Sequence, residues 1–585
     1  MKKNFSYTRR SFLVTLFNTA IFIVLIVRLF FLQIIKSDTF KTLSLRNSIK
    51  LIFLEPKRGR IYDSNDTILA MNSTNFKLLF YKIKGQDFLP IIHNIFKIFK
   101  FSPDERESII KQIKSARYIS PVILKESLDW NEVAKVESQS HKLPGTFVEK
   151  GYKRLYPDND LFCHVVGYLG KPTKEEIQKY NLYHTPDFKV GKAGIEKTKQ
   201  SILIGTFGMK RVEVNAQRKI VREFSEIPSI TGGAVKVALN HKVQVYVSSL
   251  LGNQGATAVV LNIKTGHVLS MVSTPTFNPN SFATGMTVDE WNKIISNPSY
   301  TLTNKNIGKL YPPGSVWKII VAIAILESGI SKNEKVDCQG FVKIGNQEFK
   351  CWKHIGHGEL NLTKALMTSC NPYFYIMSQK VGIEKIHEVA ARFGLGKKTG
   401  IDLPGELAGI NPNKEWKRKN LGMEWLIGDT ANASIGQGFI LATPLQMATM
   451  IARLAGGTSI IPSVMYNHNT IFNKLDINPE YLDIVKNGLD MASNHHQGIG
   501  YKNRIREEHY KMGAKTGTAQ VISKDTAYTH QYGKQFKSHS IFTGFAPVHD
   551  PTFATAVVID HGGWGSGAAA PIGRDILLFT QKTLY

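Results

Sequence analysis

A chain of 585 residues is too long for a single hydrophobic core, so two or three domains are expected. With 43% hydrophobic and 21% charged residues and no long low-complexity stretch, the composition excludes an intrinsically disordered or fibrous protein. The formal net charge of +28 comes from 74 Lys and Arg against 46 Asp and Glu scattered along the chain; without zinc-finger spacing, an RNP-like motif or a dense basic stripe, it gives no reason to expect a nucleic acid partner.

The N-terminus sets the compartment. Lys2, Lys3, Arg9 and Arg10 precede a segment from Ser11 to Ile35 rich in Phe, Leu, Ile and Val. At about 25 residues it is long enough to cross a bilayer as a helix. Its one charge, Arg28, lies near the outer end, where a long side chain can snorkel or pair with a partner helix. A cleaved signal peptide is the alternative, but its apolar core runs to only about 7–15 residues and ends at small residues. Arg28 to Gln33 offers no such site. The expectation is a single-pass membrane anchor over 11–35, with residues 1–10 in the cytoplasm and everything from 36 onward outside. The excess positive charge then reflects either a Lys-, Ile- and Asn-rich composition or attraction to anionic lipid and wall polymer.

Residues 36–235 alternate strand-like and helix-like pieces that do not draw one compact domain. Thr231, Gly232 and Gly233 before Ala234 to Asn240 read as a turn into a strand, and a domain boundary is expected there, leaving 236–585 as the second domain. Ala258–Ile263 and Val268–Val272 flank Lys264 to His267 as a hairpin. Ser315 to Glu327 predicts a helix stopped by Gly329. His539–Ala546 and Phe553–Ile559 predict two more strands, with Pro547 to Pro551 turning between them. Strands at both ends of this region and helices between them predict an α+β domain built on one antiparallel sheet.

Three short motifs fall on these elements in order: Ser315-Val-Trp-Lys318, Ser369-Cys-Asn371 and Lys515-Thr-Gly-Thr518. A serine hydroxyl needs a base to become a nucleophile. Lys318, three residues on, shares its helical face and can reach it. Pro312, Pro313 and Gly314 make a tight lead-in that puts the Ser315 amide at a helix N-terminus, where it can donate to a developing oxyanion. Ser369 offers a proton relay, Asn371 an amide to hold a peptide, and Lys515 a charge for a substrate carboxylate. Gly517, between Thr516 and Thr518, lets a strand edge approach the substrate. Each motif alone is common by chance. Together, in this order, they match the penicillin-recognising serine enzymes.

The resemblance narrows further upstream. Arg58-Gly-Arg-Ile-Tyr-Asp63 resembles the R-G-x-I-x-D signature of class B penicillin-binding proteins. Arg154 to Pro157, His164 to Tyr168 and Gly194 to Glu196 resemble later motifs of their N-terminal pedestal, and Ser434-Ile-Gly-Gln-Gly438, after Gly428 to Thr430, resembles a segment of their transpeptidase domain. The resemblance covers about residues 10–575, with one departure at Ser64 to Asp66, where the family often carries Arg-Asn-Gly. It implies a transmembrane helix, an elongated mixed pedestal over 36–235 and a penicillin-binding transpeptidase domain. It also implies D,D-transpeptidation of peptidoglycan stem peptides through an acyl-enzyme on Ser315, with Lys318 as base and the amides of Ser315 and Thr518 as oxyanion hole. No cofactor is required for that chemistry. The setting would be the inner membrane, with the catalytic domain periplasmic. No sugar-transferring domain is recognisable, so a polytopic SEDS-type glycan polymerase and other elongation-complex proteins are expected partners. The alternatives are a division-type relative, a β-lactamase, typically about half this length, and a β-lactam sensor, usually with several spans.

Four cysteines remain. Cys163 stands apart, whereas Cys338, Cys351 and Cys370 lie between the first two motifs with His357 among them. Three thiolates and an imidazole fill a tetrahedral zinc shell. A disulfide is the alternative in an oxidising compartment, and His354 or Asp337 are substitute ligands. Similar ligand positions in elongation-type members, the penicillin-binding protein 2 group, imply a structural zinc at Cys338, Cys351, His357 and Cys370, and favour the elongation type.

Overall fold

The computed structural model describes residues 8–38, 49–83, 85–116, 121–180, 188–214, 220–286, 288–466, 470–520 and 537–585. Lys2 and Lys3 of the basic leader lie outside the described residues. The apolar segment is one helical run, α1 (Arg9–Phe30) continuing as a π-turn through Ile35. Thr8 caps it, and none of its residues is buried against protein. Its 27 residues span about 40 Å at 1.5 Å per residue, enough to cross a bilayer.

The next region carries two larger sheets and a short two-stranded one, Leu169–Gly170 with Val190–Gly191. Strands β1 (Ile49–Leu54), β6 (Gly208–Val214) and β7 (Ile220–Ile227) form an antiparallel three-stranded sheet. Strands β2 (Ile61–Tyr62), β3 (Ile68–Phe80), β4 (Val122–Leu128), β5 (Thr146–Leu155) and β8 (Val235–Lys236) form a mixed sheet in which β8 pairs in parallel with β2. Helices Leu89–Ile98, Pro103–Ser115 and Trp130–Ser138 bury Ile92, Ile95, Ile113 and Val136 against the far end of β3 and β4. Irregular patterning in the sequence thus corresponds to short strands and helices, one set closing a small core of its own around Leu78 and Ile92 while Ile61, Leu69 and Ile195 join the large core of the C-terminal region. The segment from Thr231 to Asn240 is shared: Val235 and Lys236 pair with β2, whereas Ala238 donates to the carbonyl of Val464.

The C-terminal region is built on a five-stranded antiparallel sheet of β9 (Ala256–Asn262), β10 (Val268–Thr274), β11 (Gly513–Ala519), β12 (His539–Ala546) and β13 (Phe553–Ile559), in the order β10-β9-β13-β12-β11. Side chains alternate across it. Ala258 and Val260 pack under the helices His241–Leu251 and Ala569–Leu584, while Val259 and Leu261 join the larger core on the other face. That core holds α2 (Lys318–Glu327), apolar all round and buried from Lys318 to Leu326, as a helix without a polar stripe must be. The predicted hairpin, the two C-terminal strands and the α+β architecture are all present. The helix predicted from Ser315 differs in its first turn. Gly314–Trp317 is a 3₁₀ turn, and the α-helix begins at Lys318, because two prolines and a glycine at φ 57° force a tight approach.

Candidate active site

The turn Gly314–Trp317 sets Ser315, half-buried, beside the end of β11. A Cβ on Gly314 would lie 3.0 Å from the nitrogen of Thr518 and 2.8 Å from its carbonyl oxygen, so only glycine lets turn and strand touch. The Gly314 amide donates to the carbonyl of Gly436 (3.0 Å), and Gln437 Nε2 donates to the carbonyl of Thr518 (3.0 Å). The Ser434-to-Gly438 segment therefore backs both the turn and the strand. The part of Gln437 is not legible in the sequence, because Thr518 lies 81 residues away.

The second motif is a break between helices. Leu362–Thr368 ends with Ser369 in the left-handed conformation, φ 53° and ψ 39°, which costs a non-glycine residue about 1–2 kcal/mol. Pro372 then sits in the first turn of Asn371–Val381. The kink presents Ser369 and Asn371 to Lys318. Lys318 Nζ donates to Asn371 Oδ1 (2.7 Å), to the Ser369 carbonyl (2.9 Å) and to Ser369 Oγ (3.4 Å). Lys515 Nζ donates to the same Ser369 Oγ at 2.8 Å and to the Thr516 carbonyl at 3.3 Å. Lys318, three residues after Ser315, bonds to the second motif in this geometry. Its ammonium is taken by Asn371 and Ser369, and no hydrogen bond joins it to the Ser315 hydroxyl among the described residues.

Both lysines are buried, at 0% and 1% exposure. Burial lowers Lys318 to about 8, with the nearby Cys370 and Cys351 acting in the opposite direction. Burial, and then the charge of Lys318, push Lys515 well below the usual lysine range. With two lysines donating to Ser369 Oγ, the one hydroxyl proton of Ser369 is left to point elsewhere.

Lys515, Thr516, Gly517 and Thr518 lie on β11, the last strand of the sheet, with no further strand on its outer side among the described residues. A Cβ on Gly517 would lie 2.6 Å from the Pro313 carbonyl oxygen. The loop after β13 closes the other side. Gly565 donates to Thr518 Oγ1 (3.3 Å), and Ser540 Oγ donates to the carbonyl of Trp564 (3.0 Å), whose ring is exposed. The glycine-rich run from Gly562 to Gly567 signals a loop in the sequence but not what it touches.

Cys338, Cys351, His357 and Cys370 also converge, with one ligand atom from each within 4.8 Å of all the others. His357 Nδ1 lies 3.6 Å from the sulfurs of Cys338 and Cys351. Tetrahedral zinc–thiolate bonds of about 2.3 Å imply sulfurs about 3.8 Å apart, so small rotamer changes suffice and the donor set fits zinc. All four cysteines are free thiols. The substitutes Asp337 and His354 are exposed and stand outside the cluster. Cys163 is buried beside His164, 3.4 Å from its Nδ1, and burial raises its thiol to about 12, so it is inert.

A serine on a tight turn against an edge strand, two buried lysines sharing a second serine, and a two-part architecture behind one long apolar helix are the features of a penicillin-recognising serine acyltransferase. Residues 256–578 match the penicillin binding protein transpeptidase domain, and residues 53–237 match the penicillin-binding protein dimerisation domain. The peptidoglycan D,D-transpeptidase MrdA of Acinetobacter baumannii is 34% identical over 96% of this chain and 86% of its own, and that of Escherichia coli K12 is 31% identical over 95% and 91%. A solved complex between penicillin-binding protein PBP2 and MreC from Helicobacter pylori contains a chain 30% identical, with a TM-score of 0.83, over 92% of this chain and all of that one. The chain belongs to the class B penicillin-binding proteins, in the MrdA (PBP2) group of elongation-type peptidoglycan D,D-transpeptidases. Division-type, β-lactamase and sensor readings give way to this one.

Proposed function

We propose that Ser315 is the acylated nucleophile and that Lys318, Ser369, Asn371 and Lys515 run the proton and substrate traffic around it. The observation that carries this is the convergence of Lys318 and Lys515 on Ser369 Oγ beside the Ser315 turn. Ser315 Oγ attacks the penultimate D-alanine carbonyl of a stem peptide, and its proton passes to neutral Lys318. The N–H groups of Ser315 and Thr518 stabilise the oxyanion. As the C–N bond breaks, Ser369 gives its hydroxyl proton to the departing D-alanine amine and is reprotonated by Lys318. An amine of a neighbouring stem then attacks the ester, forming the cross-link and restoring Ser315. Asn371 holds the donor peptide, the edge residues Thr516, Gly517 and Thr518 pair with its backbone, and Lys515 meets its carboxylate, whose arrival favours the charged lysine.

The Cys338, Cys351, His357 and Cys370 cluster would hold one structural zinc, with no open position for water. Cys370 lies between Ser369 and Asn371, so the ion would brace the kink that presents them. The anchor runs with its basic end in the cytoplasm and the catalytic domain in the periplasm. Residues 36–235 are the pedestal and 236–585 the catalytic domain, and the pedestal receives elongation-complex partners, a SEDS-type polymerase and an MreC-like protein among them. The sheet nearest the anchor in the chain supports this, exposing Leu51, Val221, Phe224 and Ile227.

Labelling with a fluorescent penicillin that does not cross the inner membrane tests nucleophile and orientation together. Intact cells should label, and Ser315→Ala should abolish labelling with the thermal midpoint unchanged. Labelling that survives the substitution refutes the nucleophile, and labelling only after the inner membrane is opened refutes the orientation.

A further inference from the structure

The segment that delivers Ser315 is weakly tied by its backbone. Pro312 and Pro313 have no N–H to donate. Among the described residues, the stretch from Tyr311 to Gly314 is therefore bonded to the rest of the domain at its two ends. Tyr311 exchanges two bonds with Ala442, both 2.9 Å, and Gly314 donates to the carbonyl of Gly436 (3.0 Å). Where the prolines place Ser315 depends on how firmly the Tyr311 end is fixed.

Side chains fix it. The Tyr311 ring is 1% exposed and stands edge-on to the His539 ring, with centroids 5.3 Å apart. His539 opens β12 opposite Ala519, the residue after Thr518. Lys309 Nζ lies 5.0 Å over the other side of this contact, on the Tyr311 ring, and donates to both oxygens of Asp560 at 2.9 and 3.0 Å. Asp560 follows β13 directly, and its own N–H donates to the carbonyl of Gly255 (2.7 Å). His539 Nδ1 accepts from the N–H of His561 (3.1 Å), and burial lowers this imidazole to about 4. Its ring is thus neutral, and Lys309 with Asp560 forms the charge pair of the group. The backbone on both sides is strained: Tyr300, whose ring also lies under Lys309, and His561, next to Asp560, hold φ of 54° and 55°. Such conformations persist where the surroundings over-determine them.

We propose that Lys309 and Asp560 are positioning residues for acylation: the pair holds Tyr311 against His539 and so sets the distance at which the two prolines present Ser315 to the Thr518 amide. The proposal rests on Ser315 as the nucleophile. The side chain of Lys309 is 24% exposed, so the pair contributes little to global stability. Its loss should instead appear in the chemical step, where a misplacement of about 1 Å costs up to about a hundredfold.

The test is stopped-flow acylation of the full chain in detergent by a fluorescent penicillin over a range of concentrations, which separates the limiting rate constant from the half-saturating concentration. Lys309→Met should lower the limiting rate constant by about tenfold or more, leaving the half-saturating concentration, the labelled fraction and the thermal midpoint unchanged. Lys309→Arg, which can still bond the carboxylate, should restore the rate constant to within about threefold of wild type. Asp560→Asn should match Lys309→Met, and the double variant should lose no more than either single one, because the two act as a unit. Should Asp560→Asn not fold, the two Lys309 variants decide the matter. An unchanged limiting rate constant in Lys309→Met, a loss confined to the labelled fraction or to half-saturation, a failure of Lys309→Arg to restore the rate, or additive losses in the double variant overturns the proposal. Ser315→Ala, run alongside, separates the two assignments. Labelling that persists there overturns the nucleophile itself, whereas its loss there together with wild-type kinetics in Lys309→Met overturns the positioning role alone.

Discussion

At the scale of single residues, the proposed active site rests on two lysines placed where a charge is hard to keep. Lys318 acts as a base only when neutral. With its ordinary value near 10.5 brought down to about 8 by burial, the neutral fraction falls tenfold for each pH unit below 8. The rate constant for penicillin acylation is therefore expected to rise about tenfold per unit on approaching pH 8 and to level off above it, read by stopped-flow labelling. Lys515→Ala should lower the plateau by about tenfold or more, since a hydrogen bond to a charged group contributes about 1.5–3 kcal/mol. A flat pH profile would remove Lys318 as the base, and an unchanged plateau would remove Lys515 as the carboxylate reader. Ser315 and Lys318 are legible in the sequence because three-residue spacing is set by the backbone alone. Lys318's bonds to Ser369 and Asn371, 51 and 53 residues away, are not, because they depend on where the second helix breaks.

At the scale of elements, the kink between Leu362–Thr368 and Asn371–Val381 is the piece that has to be held. Val336–Cys338 pairs with Gly358–Leu360 and carries Cys338 to His357 and Cys351, while Cys370 ties this small sheet to the kink itself. Purified protein should contain about one zinc per chain. Cys351→Ser should lose it, lower the thermal midpoint and slow acylation together. Metal analysis that finds no zinc in active wild-type protein, or a variant with unaltered midpoint and acylation rate, would rule out the structural ion. Three cysteines within a short stretch hint at the cluster in the sequence. The discrimination of His357 from His354 is invisible there, because it turns on which side of the Gly356 bend each ring falls, and Gly356, at φ 78°, packs directly against the Cys338 carbonyl.

At the scale of the whole molecule, the pedestal is joined to the catalytic part by a shared apolar cluster, to which Ile61, Leu69 and Ile195 belong together with Val259 and Leu261, and by polar contacts. Asp63 accepts from the backbone N–H groups of Asn65 and Thr67 and from that of His241, the first residue of a catalytic-domain helix. His241 in turn lies 3.0 Å from Asp158, and Gln244 donates to the carbonyl of Leu161. Asp66 holds a φ of 64°, and Lys236 pairs with it at 2.8 Å. Beneath this joint lies Glu196. Burial raises its carboxyl, but the Arg154 and Arg58 charges outweigh burial and hold it below the usual range. Its contribution to stability is thus present above its unfolded value and lost as pH falls through the lower folded one. Glu196→Gln strands two buried guanidiniums and should cost about 3–5 kcal/mol. The difference from wild type in denaturant unfolding should shrink in acid. A variant as stable as wild type at neutral pH would show that the Arg58–Glu196–Arg154 triad does not hold the pedestal together.

Sequence alone determined the long apolar N-terminal helix, the hairpin of Ala258–Ile263 with Val268–Val272, the two C-terminal strands and the order of the three short motifs. Each of these is a matter of local period or spacing, which backbone geometry imposes within a few residues. Tertiary structure decided the rest. It brought Arg58, Arg154 and Glu196 together across 138 and 42 residues, set Lys515 on Ser369 across 146, and put Gln437 and Gly565 against Thr518. A buried polar group must find a partner wherever packing puts one, and which partner that is depends on the arrangement of the whole chain.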